Sequence, residues 1–258
     1  MNRLIISIAI VVVLVFIFYR RAKSHAMQRP IYWDPQAARS DQAGVMQTQT
    51  GEKETEPTVL GDLDFSEINR TFRIGDMHFT RGNFAEAEKW FIKVLALNEK
   101  HTEAMNLLGV IYIQQGNARR AEILYRKIFS ITQKEPTYYC NYGRCLYNQG
   151  RHHDAIEAYE NAVKLDATKP SRLISIGQIY YELKDYAQAL SYFLKALKID
   201  PQNVEYLMMA EELASMTGDS ERQHKCLKKV LEIDPYNEEA KNKLSKLSID
   251  APQVSSSE

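Results

Sequence analysis

Three kinds of segment follow one another along the chain, and each has its own pattern of apolar and polar positions. Residues 4–19 form a continuous apolar run in which Ser7 is the only frankly polar member. Residues 27–61 are rich in Gln, Thr, Glu, Pro and Gly and show no apolar period. From residue 68 onward, small and large residues recur in a fixed register. The pattern predicts an apolar helix, a flexible linker and a repetitive helical region.

The repetitive region has a period of 34 residues. Three classes of residue carry it, namely a glycine, an alanine and an aromatic residue one turn later: Gly75, Gly109, Gly143 and Gly177; Ala87, Ala121, Ala155 and Ala189; Phe91, Tyr125, Tyr159 and Phe193. A fourth set marks the turn between two helices: Gly82, Gly116, Gly150, Lys184 and Gly218. A period of roughly 20 to 50 residues is typical of a solenoid of stacked units. We expect the small residues to make room for the large residue of the packed helix.

These residues resemble the tetratricopeptide repeat (TPR) family. The best local matches are Leu108-Gly109 with Tyr112, Ile176-Gly177 with Tyr180, and the pairs Asp200-Pro201 and Asp234-Pro235. The resemblance implies an all-α, right-handed superhelical solenoid of about five helix pairs with a concave inner surface. The fifth repeat departs from the pattern, because Glu211 replaces glycine and Gln223 replaces alanine. Divergent terminal repeats are expected in a stack that needs a polar outer cap.

Helix signals at both ends predict the limits of the repeat domain. Asp64 to Glu67 has the D-x-x-E spacing of a helix cap, and apolar residues at helical spacing follow it. The predicted TPR domain covers residues 63–249, with repeats at 68–101, 102–135, 136–169, 170–203 and 204–237 and a capping helix at 238–249. Outside it we predict a membrane anchor with a basic flank, a flexible linker and a disordered tail, at residues 1–26, 27–62 and 250–258.

The apolar run at residues 4–19 is long enough for a transmembrane helix. At about 1.5 Å per residue it spans roughly 24 Å, and Arg3 and Arg20 can reach the headgroups on either side of a core about 30 Å thick. A cleaved signal peptide is the alternative, and it needs a small-residue cleavage site soon after the run. Basic residues follow instead, and Ser24-x-Ala26 lies beyond them. We therefore expect an uncleaved, single-pass anchor.

Basic residues near the run predict the side on which the repeats lie. Arg20, Arg21, Lys23 and Arg29 follow the run, whereas only Arg3 and the amino terminus precede it. Because the more positive flank of a membrane helix tends to stay in the cytoplasm, we expect a cytoplasmic TPR domain. A periplasmic or other extracytoplasmic domain is the alternative, since the short arm that carries Arg3 can also stay inside.

Composition excludes few functions. The chain has 258 residues, 45% of them apolar, which is enough for a sizeable core. Lys plus Arg number 33 and Asp plus Glu number 33, so the charge balance does not indicate a nucleic-acid partner. The three cysteines, an odd number, cannot all pair within one chain, and we interpret them as free thiols that favour a reducing compartment: Cys140, Cys145 and Cys226.

Sequence motifs for catalysis, metals or cofactors are absent. His152 and His153 are adjacent, so on a helix their side chains diverge by about 100° and cannot chelate together. No C-x-x-C, H-E-x-x-H or G-x-S-x-G spacing occurs, and the glycines follow the repeat rather than a phosphate loop. We therefore predict no metal, no cofactor and no enzymatic activity. An enzyme with a site assembled across several repeats is the remaining alternative.

The resemblance also implies where a partner would bind. TPR proteins contact ligands through the first helix of each repeat, helix A, mainly at positions two, five, nine, twelve and thirteen. The predicted groove residues are Phe72, Asp76, Phe79, Asn106, Ile113, Arg144, Tyr147, Asn148, Ile174, Gln178 and Tyr181. We expect about half of the helix A positions to pack between repeats. The basic clamp of chaperone-binding TPR proteins is not matched, since only Asn141 agrees with it.

These observations predict a membrane-tethered scaffold or assembly factor. Its concave groove would bind a peptide or a helix of a partner protein, because aromatic and aliphatic patches with isolated polar groups suit such ligands. The alternative is a self-associating structural component of a membrane complex, in which another copy fills the groove. The identity of the partner does not follow from the sequence.

Overall fold

The computed structural model describes the backbone of residues 59–250 and the side chains of residues 65–247. This part of the chain is all α-helical and contains eleven helices. They are α1 (Val59–Thr80), α2 (Phe84–Leu97), α3 (Thr102–Gln114), α4 (Ala118–Ile131), α5 (Pro136–Asn148), α6 (His152–Leu165), α7 (Pro170–Glu182), α8 (Tyr186–Ile199), α9 (Val204–Thr217), α10 (Ser220–Ile233) and α11 (Glu238–Asp250).

The helices stack in chain order. Each one packs on the helix before it and the helix after it, and α3 also contacts α5. The result is five helix pairs, α1–α2 to α9–α10, followed by α11 on α10. The predicted all-helical, TPR-like solenoid is confirmed for the described residues. The right-handed superhelix and the domain limits in the linker and tail stay predictions.

The glycine and the ring of each of the first four pairs pack as the period predicts. A Cβ atom added to Gly143 would lie 2.9 Å from the Tyr159 ring, and Gly75, Gly109 and Gly177 have the same relation to a ring on the paired helix. Tyr159 is only 3% exposed. A methyl group would therefore overlap an aromatic ring at each of these positions. The glycines are needed for the close approach of two helices rather than for a special backbone conformation.

The turn between the two helices of a pair has one conformation throughout. Its central residue has a positive φ, between 74° and 76° in four repeats and 62° at Lys184. This left-handed region suits glycine, and a side chain there is strained by roughly 1–2 kcal/mol. The predicted turn positions are therefore confirmed, and Lys184 adopts the backbone of the glycine that it replaces.

We expect Lys184→Gly to stabilise the protein by about 0.5–1 kcal/mol. Glycine removes the strain of the left-handed conformation. This gain in free energy exceeds the cost of the additional conformational entropy that glycine gives to the unfolded chain. Urea unfolding measures the gain, and Lys184→Ala should show none of it, because alanine keeps a Cβ atom. The reciprocal change, Gly150→Lys, should cost a similar amount, since a Cβ atom there would meet no atom within 4 Å. Equal stability of Lys184→Gly and Lys184→Ala would contradict this account.

The start of the domain differs from the prediction. Helix α1 begins at Val59, so residues 59–62 of the predicted linker are helical and Asp64 lies inside the helix instead of capping it. A cap of this kind contributes only about 1 kcal/mol, and no proline interrupts the chain between Val59 and Thr80. The helix therefore continues through the cap signal.

The first repeat has an open outer face. In α3, the residues at positions three, six and ten are buried against the preceding pair: Ala104, Leu107 and Ile111. The same positions of α1 are exposed and mostly charged: Arg70, Arg73 and Met77. This is the polar substitution that a solenoid needs at an end without a preceding repeat.

The last repeat is closed by a buried ionic contact. Glu211 is 1% exposed and stands where the other repeats have glycine. Its carboxylate accepts a hydrogen bond from Gln223 Nε2 at 2.7 Å and forms an ion pair with Lys243 Nζ at 2.7 Å. Glu211 and Gln223, the two residues that depart from the repeat pattern, therefore take part in the same contact. This contact attaches α11 to the fifth pair.

A second buried pair stabilises the start of α7. Arg172 is 3% exposed and donates to the Asp166 carboxylate at 2.6 Å, and Thr168 donates to the same carboxylate through its hydroxyl and its backbone N–H. The Thr168 hydrogen bonds, together with Arg172, lower the pKa of Asp166 from 3.8 to about 2. The folded state therefore favours the ionised carboxylate.

We expect this carboxylate to contribute to the acid sensitivity of the fold. Because its pKa is lower in the folded than in the unfolded state, its contribution is complete above pH 3.8 and is lost as the pH falls toward about 2. Urea unfolding of Asp166→Asn across this range should show a shallower loss of stability than the wild type. Parallel pH profiles for the two proteins would contradict the assignment.

Several predictions fall outside the described residues: the apolar run at 4–19, its basic flank, the linker up to residue 58 and the tail from residue 251. Within the described part, no helix combines the length and the apolar character that a membrane span requires. The membrane anchor therefore stays a prediction from sequence.

Candidate partner-binding groove

We call the first helix of each pair an A helix. The A helices are α1, α3, α5, α7 and α9. Direct hydrogen bonds join α3 and α5: Asn141 Nδ2 donates to Asn106 Oδ1 at 2.9 Å, and the Tyr138 hydroxyl donates to Thr102 Oγ1 at 3.3 Å. Side chains of these two neighbouring A helices thus contact each other directly. We call the surface formed by positions two, five, nine, twelve and thirteen of the A helices the groove face.

Four of the eleven predicted groove residues are buried, and a role of these four in binding stays a prediction. Phe79, Asn106, Ile113 and Ile174 are each at most 7% exposed. The Phe79 ring packs on the rings of its own pair, and Asn106 accepts the bond from α5 described above. An A helix contacts its own partner helix and both neighbouring pairs, so only a narrow strip of it reaches solvent. Asn106 therefore joins two repeats, Phe79 packs within its own repeat, and all four residues present little surface to a partner.

The other seven predicted residues keep some exposure. Asn148 is exposed, and six are half-buried: Phe72, Asp76, Arg144, Tyr147, Gln178 and Tyr181. Phe72 is stacked on His101 with ring centroids 4.8 Å apart, and the Phe91 ring lies 5.7 Å from it. A role of these seven residues in binding stays a prediction.

Tyr147 and Tyr181 occupy the same position in neighbouring repeats. Each ring packs against a ring at the start of the second helix of its pair, Tyr147 on His152 at 5.6 Å and Tyr181 on Tyr186 at 5.5 Å. The Tyr147 hydroxyl also donates a hydrogen bond to the Glu182 carboxylate in the next repeat. Burial, and then this hydrogen bond, raise the pKa of Tyr147. The two rings are therefore held in place before any partner arrives.

Carboxylates occupy groove positions in four of the five repeats. They are Asp76, Glu103, Glu182, Glu205 and Glu212, whereas Arg144 is the one base among the groove positions, all of which are described. Burial raises the pKa of Glu103, and the negative charge of Asp76 adds to the effect. Burial also raises the pKa of Tyr181, with a further contribution from Glu212. They occupy helix A positions that the family resemblance assigns to ligand contact, so the repeat register already implies that they share one surface.

Arg144 is half-buried on α5 between two buried tyrosines. Burial lowers the pKa of its guanidinium, and Tyr125 and Tyr159 partly oppose this shift. An arginine stays charged after such a shift, so the middle of the groove face carries a partly desolvated cation. It can orient a carbonyl or a carboxylate of a ligand.

Side chains that could hold a metal ion together are not found in the described part of the chain. No three His, Cys, Asp or Glu side chains there are placed to hold a metal ion together. The three cysteines are free thiols, as predicted, and burial raises the pKa of Cys145 to about 11. A thiol with such a pKa is a poor nucleophile at neutral pH. The predicted lack of catalysis and of cofactors stays a prediction.

Two family models match the repeat region. The tetratricopeptide repeat model matches residues 67–134, and the model of anaphase-promoting complex, cyclosome, subunit 3 matches residues 114–196. Together they cover residues 67–196, which is the first four helix pairs except the start of the first and the end of the fourth, and they support assignment of the repeats to the TPR family. A comparison with curated proteins finds no match.

Solved TPR structures share the fold at low sequence identity. MamA is 21% identical with a TM-score of 0.59, and the match covers 65% of this chain and 92% of MamA. PilF of Pseudomonas aeruginosa is 18% identical with a TM-score of 0.58, covering 72% and 90% of the two chains. YrrB, a TPR protein with an unusual peptide-binding site, is 17% identical with a TM-score of 0.55, covering 67% and 89%. At these identities the likeness establishes the fold alone.

Proposed function

We propose that this protein is a membrane-tethered scaffold whose groove face binds a peptide or a helix of a partner protein. The TPR-type repeats are consistent with a protein-interaction scaffold, and the similar fold of YrrB, which is described as having a peptide-binding site, supports a peptide ligand. Residues 4–19 supply the tether in this proposal, with the repeats on the cytoplasmic side.

One observation carries the peptide-binding proposal. Arg144, Tyr147, Gln178 and Tyr181 are half-buried on two adjacent A helices, and the Tyr147–Glu182 hydrogen bond joins these helices. Partly buried aromatic and arginine side chains with fixed positions are the residues that dominate binding energy at protein interfaces. Little conformational entropy is lost when such residues meet a ligand.

The test compares a groove variant with a matched surface variant. Full-length protein that carries Arg144→Ala, Tyr147→Ala and Tyr181→Ala should lose partners that the wild type captures, by about thirtyfold in affinity or more if one tyrosine is a hot spot. Tyr236→Ala should retain them, because Tyr236 is 83% exposed and lies beyond the A helices. Circular dichroism must show equal helicity for both variants.

Undiminished binding by the groove variant would contradict the proposal. The better candidate would then be the outer notch between α4 and α5–α6, where the rings of Phe129, Tyr139 and Tyr142 contact one another with centroids 4.5 to 5.3 Å apart.

The tether is tested separately. Alkaline carbonate extraction should leave the full-length chain in the membrane pellet, whereas a chain without residues 1–26 should be released. A reporter that is active only in the cytoplasm, fused after Glu258, should be active. An N-terminus that begins near Met27 in the isolated protein would contradict the anchor, and activity of an export-dependent reporter would contradict the cytoplasmic side.

Self-association is the second candidate, and a row of exposed aliphatic residues favours it. The last residue of the second helix in every repeat is an aliphatic side chain that is 36–45% exposed: Leu97, Ile131, Leu165, Ile199 and Ile233. If stacking brings these side chains into one apolar strip, the strip is the kind of surface that commonly marks an interaction site. Light scattering should then show an oligomer that Ile131→Glu with Leu165→Glu dissociates. A monomer at all concentrations would exclude this candidate.

A further inference from the structure

The groove face has an excess of negative charge that the chain as a whole does not have. Five carboxylates and one arginine occupy groove positions, whereas the complete chain has equal numbers of acidic and basic residues. The excess is therefore a local property of this surface. Charged groups of one sign that line a cleft raise the local concentration of ligands of the other sign.

Two of these carboxylates are paired with aromatic rings of the groove. Glu182 accepts the hydrogen bond of Tyr147, and Glu212 acts electrostatically on Tyr181 in the adjacent repeat. A ring beside a carboxylate offers two attractions to one cation, namely the negative face of the π system and a full negative charge. Carboxylates therefore act on the groove tyrosines of two consecutive repeats, by a direct hydrogen bond at Tyr147 and by charge at Tyr181.

A third carboxylate extends this surface toward the first repeat. Glu103 is half-buried near Asp76, and this proximity of two like charges disfavours ionisation of Glu103. A bound cation would relieve the repulsion. An acidic ligand would instead meet carboxylates on both sides of Arg144, and the basic residues of a carboxylate clamp are absent from these positions.

From these observations we propose that the partner segment is cationic and that its Lys or Arg side chains bind at the carboxylates Glu103, Glu182 and Glu212, the last two of which act on the groove tyrosines. Apolar residues between the basic ones would contact the exposed sides of Phe72, Tyr147 and Tyr181. This inference rests on the proposed function, because it describes the ligand of the same groove. It predicts binding that weakens with salt, since the carboxylates are only partly buried.

The experiment uses three short labelled peptides that differ only in charge. One alternates lysine with leucine and serine, and the others have glutamine or glutamate in place of each lysine. Fluorescence anisotropy measures the affinity of each peptide for the full-length chain in a neutral detergent. The lysine peptide should bind most tightly, and the glutamine peptide should bind at least about tenfold more weakly. Binding of the lysine peptide should weaken about tenfold or more from about 50 mM to about 500 mM sodium chloride.

A matched pair of variants locates the effect. The double variant Glu103→Gln with Glu182→Gln removes two charges from the groove face and should weaken binding of the lysine peptide about tenfold or more. Glu157→Gln with Glu221→Gln removes two charges from exposed positions on α6 and α10 and should change binding less than about twofold. Tyr147→Phe should bind more tightly than Tyr147→Leu, because phenylalanine keeps the ring that attracts a cation.

Each other outcome overturns the inference. If the two double variants lose affinity for the lysine peptide equally, the attraction comes from the overall charge of the protein rather than from a site in the groove. If the lysine peptide does not bind at all, the groove takes no cationic segment. Preference for the glutamine or glutamate peptide, lost in the Arg144, Tyr147 and Tyr181 triple variant, would contradict the charge inference while leaving the peptide-binding groove intact. Binding of all peptides that the triple variant does not alter would contradict both.

Discussion

Tyr159→Ala is expected to lower the free energy of unfolding by about 3–5 kcal/mol, which is the cost of removing a large buried side chain and leaving a cavity. The Tyr159 ring fills the space that Gly143 leaves between α5 and α6, and the other buried side chains there cannot follow it into the gap. Thermal and urea unfolding should show the loss with or without a partner. A cost below about 1 kcal/mol would mean that this contact does not hold the third pair together.

Tyr147→Ala is the control, because it truncates the same residue type twelve positions earlier on the groove face. Tyr147 is half-buried, so its removal should cost much less stability. If it is a hot spot, the same change should weaken partner binding by about 2 kcal/mol or more, about thirtyfold. Tyr159→Phe should retain most of the stability, since the ring stays in place. The comparison separates residues that hold the fold from residues that meet a ligand.

Lys243→Met should cost about 2–4 kcal/mol, although methionine has nearly the volume of the lysine stem. The loss arises because Glu211 would keep Gln223 but lose its counter-charge inside the fifth pair. Burial disfavours the charged form of Lys243, yet the hydrogen bonds and charges of Glu211 and Glu239 raise its pKa. Urea unfolding should show the loss, and α11 should become the first segment to exchange its amide protons.

A matched lysine tests whether burial is the cause. Lys241 also forms an ion pair on α11, with Glu238, but both side chains are exposed, so Lys241→Met should cost less than about 1 kcal/mol. The double variant Glu211→Leu with Lys243→Met should recover much of the stability, because no buried charge remains. Similar losses for the two lysine variants would contradict the role of Glu211.

The fold could be predicted from the sequence because it depends on local spacing. A glycine that faces a ring must recur with the repeat, so the 34-residue register alone pairs Gly143 with Tyr159. The turn positions could be predicted for the same reason, since a left-handed residue ends the first helix of every pair, including Lys184. The start of α1 could not be predicted in this way. The free energy that Asp64 would contribute as a helix cap is smaller than the free energy gained by continuing an uninterrupted helix.

The site was only partly predictable, because exposure depends on neighbours that are distant in sequence. Ile174 and Tyr181 lie on the same helix and both matched ligand positions of the family, yet one is buried and the other half-exposed. The sequence near each residue does not show which of the two is buried. The contact of α7 with the pairs on either side decides which residue a partner can reach.

The period of 34 residues, the helix pairs and the glycine–ring contacts follow from the amino-acid order alone, because each depends on residues within one repeat unit. Only the stacking of helices explains why Glu211 attaches α11 and why the Glu182 carboxylate accepts a hydrogen bond from Tyr147 of the preceding repeat. The repeat register assigns these residues to positions on their helices but does not show which side chains meet. They come together because stacking aligns the A helices, and burial and charge then act between residues that are far apart along the chain.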